Sequence, residues 1–170
     1  MTGVQTCALP ICFSTVFPQF TSIVGAEGVR LLERIKSFGW FAQVYVMQDG
    51  LLELLPSLRA SGIRVVVDHC GCPTVAAGLA QPGFSALLEL GRGGNAAIKL
   101  SGAFRSSKQG WPYADCDPYI EALIRAFTLE NCVWGSDWPY VRVPSRMDYG
   151  PILRLLEHWL SDEKDRQKVL

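Results

Sequence analysis

The feature that most constrains this chain is a rhythm. Short apolar runs, rich in β-branched residues, alternate with stretches whose apolar residues recur at helical spacing. The clearest run is Ile63 to Asp68 (IRVVVD), and Phe41–Met47 (FAQVYVM), Ala96–Leu100 (AAIKL) and Cys132–Ser136 (CVWGS) repeat the pattern. Such runs suit strands buried on both faces, as in parallel sheets. Between them, Leu31, Leu32, Ile35 and Phe38 predict one helical face that Gly39 closes. A Leu-rich helix follows from Leu51 to about Ala60, bent or restarted at Pro56 and ended by Gly62. Phe84, Leu87 and Leu88 mark a third helix before the turn at Gly91–Asn95. Ile120, Leu123, Ile124 and Phe127 recur at i, i+3, i+4, i+7 behind Asp117-Pro118, which reads as N-cap and N1. Gly150-Pro151 opens a helix with Ile152, Leu155, Leu156 and Trp159 inward, and Ser161-Asp162 caps a last one.

Strands alternating with helices imply βαβ units and a parallel sheet. An open doubly wound sheet is the rival to a barrel, but no strand runs into a dinucleotide or phosphate-binding glycine loop. The Gly91-Arg92-Gly93-Gly94 run follows a helix and precedes a strand, so it is a turn. Polar groups instead gather just past the strands' C-terminal ends: Gln48-Asp49, Asp68-His69, Ser101 with Arg105, and Asp137. Side chains from several strand tips on one rim are the barrel arrangement. The fold class expected is α/β, a partial TIM (β/α)8 barrel of about four C-terminal strand–helix units.

Composition narrows the function classes. Lys plus Arg (16) equal Asp plus Glu (16), which leaves no charge footprint for nucleic acid, and no apolar run reaches membrane-spanning length. The six cysteines include no C-x-x-C pair, a pattern that suits reduced thiols and a cytoplasmic location. His69-Cys70-Gly71-Cys72 lacks a second ligand cluster that would complete a soft-metal tetrahedron. Residues 26–170 carry the barrel pattern and residues 12–25 are unassigned. Met1 to Ile11 (MTGVQTCALPI) resembles translated sequencing-adaptor read-through and is set aside as non-native. It lacks the basic n-region of a signal peptide, the first basic residue being Arg30.

Local sequence leaves two roles open for Asp137, capping the turn after its strand or doing chemistry there. Arg105 reads equally as one solvated charge beside Lys108, Tyr45 as a core aromatic, Asp68 as an orienting or capping group, and His158 as solvated next to Glu157.

Three motifs in order carry a resemblance: Val65-Val66-Val67-Asp68-His69-Cys70-Gly71-Cys72-Pro73, Ile98-Lys99-Leu100-Ser101-Gly102 with Arg105, and Val133-Trp134-Gly135-Ser136-Asp137-Trp138-Pro139. Together they resemble the amidohydrolase-2 family, in its 2-pyrone-4,6-dicarboxylate lactonase-like branch, over roughly Leu31 to Leu170. The resemblance implies a TIM-barrel hydrolase acting on a lactone or ester bond of a small carboxylated substrate. It places the family's general base or metal ligand on Asp137 and its Asp-His-x-Gly histidine on His69. Arg105 and Tyr45 fall where the branch holds substrate carboxylates, a task that suits the planar guanidinium fork. Asp137 would take a proton from the attacking water while His69 polarises the carbonyl.

The sequence departs from the family in two places. The His-x-His of the first strand is absent, and Tyr140 stands where histidine often follows Asp-Trp-Pro. One histidine and one carboxylate do not make a catalytic zinc site, which needs three protein ligands. No cofactor is expected on this chain, and a divalent metal such as zinc stays open for a complete enzyme. A metal-dependent amide or C–C hydrolase is the alternative when complete. An inactive truncated half-barrel that packs against a partner chain is the non-enzymatic one. The chain by itself is expected to be inactive, because a full barrel takes about 250 residues.

Overall fold

Five parallel strands stand in sequence order, each hydrogen-bonded to the next. The computed structural model describes residues 10–17, 23–143 and 146–170. The strands are β1 (Pro10–Ser14), β2 (Phe41–Tyr45), β3 (Val65–Val67), β4 (Ala96–Leu100) and β5 (Cys132–Trp134). Helices α1 (Gly25–Ser37), α2 (Gly50–Ser61), α3 (Pro82–Arg92) and α5 (Asp117–Phe127) make the crossovers, with a short α4 (Ala103–Ser106) between β4 and α5. After β5 come α6 (Tyr149–Trp159) and α7 (Glu163–Val169). This is the curved parallel order of a (β/α)8 barrel segment.

The pleat sorts the sheet's two faces. Ala42, Val44, Val65, Val67, Ile98 and Leu100 are buried in one core with Leu32, Leu55, Phe84, Leu123 and Phe127 of the helices. The alternate positions Gln43, Tyr45, Val66 and Lys99 are only half-buried, and Val133 is 44% exposed. Strands with period-2 side chains can bury one face on helices and turn a polar one inward to a barrel's axis.

Four details differ from the sequence reading. The sheet has five strands rather than four. β1 pairs with β2 from Pro10↔Phe41 to Ser14↔Tyr45, and so straddles the boundary drawn at residue 11. Residues 1–9 of the segment set aside as non-native, and residues 18–22, lie outside the described residues. Phe38 is 59% exposed and stacks on Trp40 at 5.5 Å, so the buried face of α1 is Gly28, Leu32 and Ile35. Gly28 is required there, because a Cβ would collide with the Ile23 backbone.

Asp117 does not cap α5. It is the first residue of the helix and makes no capping bond. Its carboxylate accepts from His158 Nε2 at 2.8 Å and from Trp159 Nε1 at 3.2 Å, which ties α5 to α6 and gives the exposed His158 a partner. Asp162 does cap α7, accepting from the Lys164 N–H at 2.7 Å. Val169 then seats that short helix in the core. Gly62 ends α2 in the left-handed conformation expected of it (φ 58°). No helix among the described residues is long and apolar enough to cross a membrane.

Candidate active site

The site is built where β2, β3, β4 and β5 end. β3 delivers Asp68, whose N–H makes a ladder bond to Val44 O at 2.9 Å. Asp68 is buried, and its carboxylate accepts from Lys99 Nζ at 2.5 Å and from Gln43 Nε2 at 2.9 and 3.1 Å. The chain then enters a tight left-handed turn through His69 (φ 48°), Cys70 (56°), Gly71 (70°) and Cys72 (41°). The Gly71 N–H to Asp68 O and Cys72 N–H to His69 O bonds close it. Three non-glycine residues in that region mark stored backbone strain, which concentrates at functional sites.

His69 is fixed on two sides. Its Nδ1 lies 2.9 Å from the hydroxyl of buried Ser101, at the tip of β4. The next residue, Gly102 (φ 66°), leaves room for the imidazole, since a Cβ there would meet the His69 Cβ at 3.1 Å and its ring at 3.2 Å. Tyr45, the last residue of β2, sets its ring edge-on to His69 with centroids 5.4 Å apart.

Asp137 follows β5 with its own left-handed backbone (φ 64°), and the Tyr140 N–H to Asp137 O bond closes the turn. Its carboxylate side chain is 11% exposed. Oδ1 faces His69 Nε2 at 3.5 Å and Oδ2 accepts from Arg105 Nε at 2.5 Å. The remaining guanidinium nitrogens of Arg105 reach Val141 O at 3.3 Å. A cleft of about 370 Å³ opens over this group, lined by Tyr45, His69, Arg105, Asp137, Phe17 and Arg142, among others.

All four residues singled out from the sequence (Asp137, His69, Arg105 and Tyr45) therefore line one cleft. Arg105 is no solvated charge, since its side chain is 17% exposed and engaged with Asp137. The side chain of Asp137 faces the cleft and makes no capping bond, and Tyr45 is half-buried on the rim rather than in the core. Sequence reasoning missed the Gln43–Asp68–Lys99 cluster, the Ser101 bond, and Phe17 and Arg142 at the mouth. Only Ser101-Gly102, a polar–glycine pair directly after an apolar strand, carried a readable signal.

Electrostatics set the protonation states. Burial holds His69 below its ordinary value of 6.5, with Asp137 and Asp68 opposing the shift, so the imidazole is neutral at pH 7. Burial likewise raises the Tyr45 phenol, with the neighbouring Cys72 and Asp137 adding to the shift and Arg105 opposing it. Cys72 is pushed up to about 12, chiefly by burial, and Cys70 is raised by the same cause. Both stay protonated, which suits neither nucleophile nor soft-metal ligand.

The described residues do not furnish a zinc site. No group of three His, Cys, Asp or Glu side chains comes together among them, and a guanidinium already sits on Oδ2 of Asp137.

Comparison with known proteins agrees with this architecture. The model of the amidohydrolase family matches residues 16–170. A D-galactarolactone isomerase of Agrobacterium fabrum is 36% identical over 141 residues, covering 81% of this chain and 48% of that protein. A 4-sulfomuconolactone hydrolase of Rhizobium radiobacter is 33% identical over 153 residues, covering 86% and 51%. A solved Pseudomonas putida protein superposes with a TM-score of 0.79 at 30% identity, over 96% of this chain and 59% of that one. The chain spans about half the length of the curated relatives it matches. With a match that runs from just after β1 to the last residue, the chain belongs to the amidohydrolase family.

Proposed function

We propose that this rim serves hydrolysis of a lactone or ester C–O bond in a small carboxylated substrate, with Asp137 as general base. The observation that carries the reading is the approach of Asp137 Oδ1 to His69 Nε2, 3.5 Å apart, at the C-terminal end of a parallel sheet. That spacing lets one carboxylate and one imidazole address the same carbonyl centre. Asp137 takes a proton from the attacking water as the new C–O bond forms and gives a tetrahedral oxyanion; the ring C–O bond then breaks, and the protonated Asp137 returns the proton to the leaving ring oxygen. The tautomer this step requires has the Ser101 hydroxyl, 2.9 Å from Nδ1 of neutral His69, donating to it, so that the proton on Nε2 bonds the developing oxyanion.

Arg105 and Tyr45 bind the substrate's carboxylate in this reading. The guanidinium nitrogens that now make long contacts to Val141 O are the ones an incoming carboxylate takes up. Relatives named for hydrolysis of a sulfomuconolactone and of a pyrone dicarboxylate support a lactone bearing acid groups. No step is assigned to a metal, because the described donors do not form its site. The free, mostly buried cysteines favour the cytoplasm as the place of work.

The test is ring opening of a carboxylated lactone by this chain carried within a barrel of its relatives' full length, followed by pH-stat or ultraviolet absorbance, beside Asp137→Asn. Turnover that disappears in the variant supports the reading. Turnover that survives intact returns Asp137 to turn capping.

A further inference from the structure

Two arginines line the cleft in different states. Arg105 is held by Asp137 through Nε. Arg142 stands exposed at the mouth, in a left-handed backbone conformation (φ 63°), with its guanidinium 4.5 Å above the centre of the Phe17 ring. No carboxylate forms an ion pair with Arg142 among the described residues.

A guanidinium stacked on an aromatic face keeps its in-plane N–H groups directed outward from the stack, where they match a planar or tetrahedral oxyanion. Phe17 is itself packed on Tyr45 at 6.1 Å, and Tyr45 on His69 at 5.4 Å. Arg142, Phe17, Tyr45 and His69 thus form one continuous wall. The position of the Arg142 fork is tied by contact to the position of the imidazole. An arginine that served only solubility has no need of that stack, nor of a strained backbone that turns it over the cleft.

We propose that Arg142 is a specificity-determining residue that binds a second acid group, carboxylate or sulfonate, on the substrate. The inference rests on the lactonase reading above and extends it. Arg105, whose charge Asp137 already offsets, takes one acid group, and Arg142 brings the uncompensated positive charge that favours a dianion over a monoanion. Tyr140 and the rest of the Asp137 turn position the Arg142 backbone, so the second acid group binds on the β5 side of the cleft.

The probes are benzene-1,3-dicarboxylate and benzoate, titrated calorimetrically into the full chain at low salt. The unmodified chain should bind the dicarboxylate about tenfold or more tighter than benzoate, as one added charge-assisted fork implies. In Arg142→Gln that preference should vanish while benzoate affinity holds within about twofold. Arg142→Lys, which keeps the charge and loses the fork, should fall between them, and Phe17→Leu should weaken the dicarboxylate more than benzoate. Circular dichroism melts establish that each variant is folded. Equal affinity of Arg142→Gln and the unmodified chain for the dicarboxylate overturns the proposal. So does no preference for the dicarboxylate in the unmodified chain. An Arg142-dependent preference, with no lactone turnover even when the chain is carried within a barrel of its relatives' full length, would sink the hydrolase reading and leave the anion site standing. Turnover with no Arg142 dependence would do the reverse.

Discussion

Arg105 donates from Nε to Oδ2 of Asp137 at 2.5 Å, which joins the tip of β4 to the tip of β5. The cation that the sequence assigns to the substrate also holds the carboxylate assigned to the water. With Oδ2 committed, Oδ1 is the oxygen left beside His69. In the proposed function, binding and base chemistry therefore share one ion pair.

Asp137→Asn keeps the shape and removes the base. Turnover of a carboxylated lactone should fall about 10²–10⁴-fold, the range of a lost general base, with little change in KM. Steady-state kinetics on both proteins check this.

Arg105→Lys keeps the charge and loses the fork. Because Arg105 also orients Asp137, kcat should fall along with affinity for the acid, and Arg105→Lys should lose most of the unmodified enzyme's preference for the acid over its methyl ester. Equal affinity of the unmodified enzyme for the acid and the ester would remove Arg105 from substrate binding.

His69 makes stability depend on pH in a stated direction. Burial depresses its folded pKa below the ordinary 6.5, so between the two values the unfolded chain binds more protons than the folded one. The contribution is fully present above 6.5 and is lost as pH falls through the folded value. Denaturant midpoints should decline on acidification below about pH 6.5. His69→Gln should flatten that decline, and an unchanged slope would place the imidazole in solvent.

Lys99→Met should destabilise the fold by about 1.5–3 kcal/mol, the range for a hydrogen bond to a charged group. It strips Asp68, 4% exposed, of its cation and leaves only Gln43. Asp68→Leu in the same chain should recover much of the loss, since a buried charge without its partner is worse than none. Urea melts of the single and double variants decide it.

Much of the fold was legible because β2 to β5 are apolar runs between amphipathic helices, and the face of α5 through Ile120, Leu123 and Phe127 was plain from spacing. β1 was not, since Pro-Ile-Cys-Phe-Ser has neither alternation nor a β-branched run, and only pairing with β2 makes it a strand. Asp117 has the residue type of a cap, yet its carboxylate is taken by His158 and Trp159, partners that only the packing of α6 brings near. Lys99 interrupts an apolar strand, and no local rule says which face it takes. Its partner Asp68 is revealed by strand register alone, β3 being aligned so that Val67 pairs with Ile98. His69 and Asp137 were marked by their place at strand tips and by the family resemblance, Arg105 by its place just past β4 and the same resemblance, and Tyr45 by the resemblance alone. What they do to one another was set by side-chain directions that sequence does not encode locally.

The strict sequence order of the strands bears on how the chain comes off the ribosome. Among the described residues each strand pairs with its neighbours in sequence. From β2 to β5, every newly made strand therefore meets its docking edge already synthesised. Vectorial growth of this kind spares the nascent polypeptide the long loop closures that slow parallel sheets. It also fixes a timetable for chemistry. His69 and Ser101 are in place once β4 has docked, but Asp137 is delivered by β5, so the proposed catalytic pair is not assembled until β5 has been added.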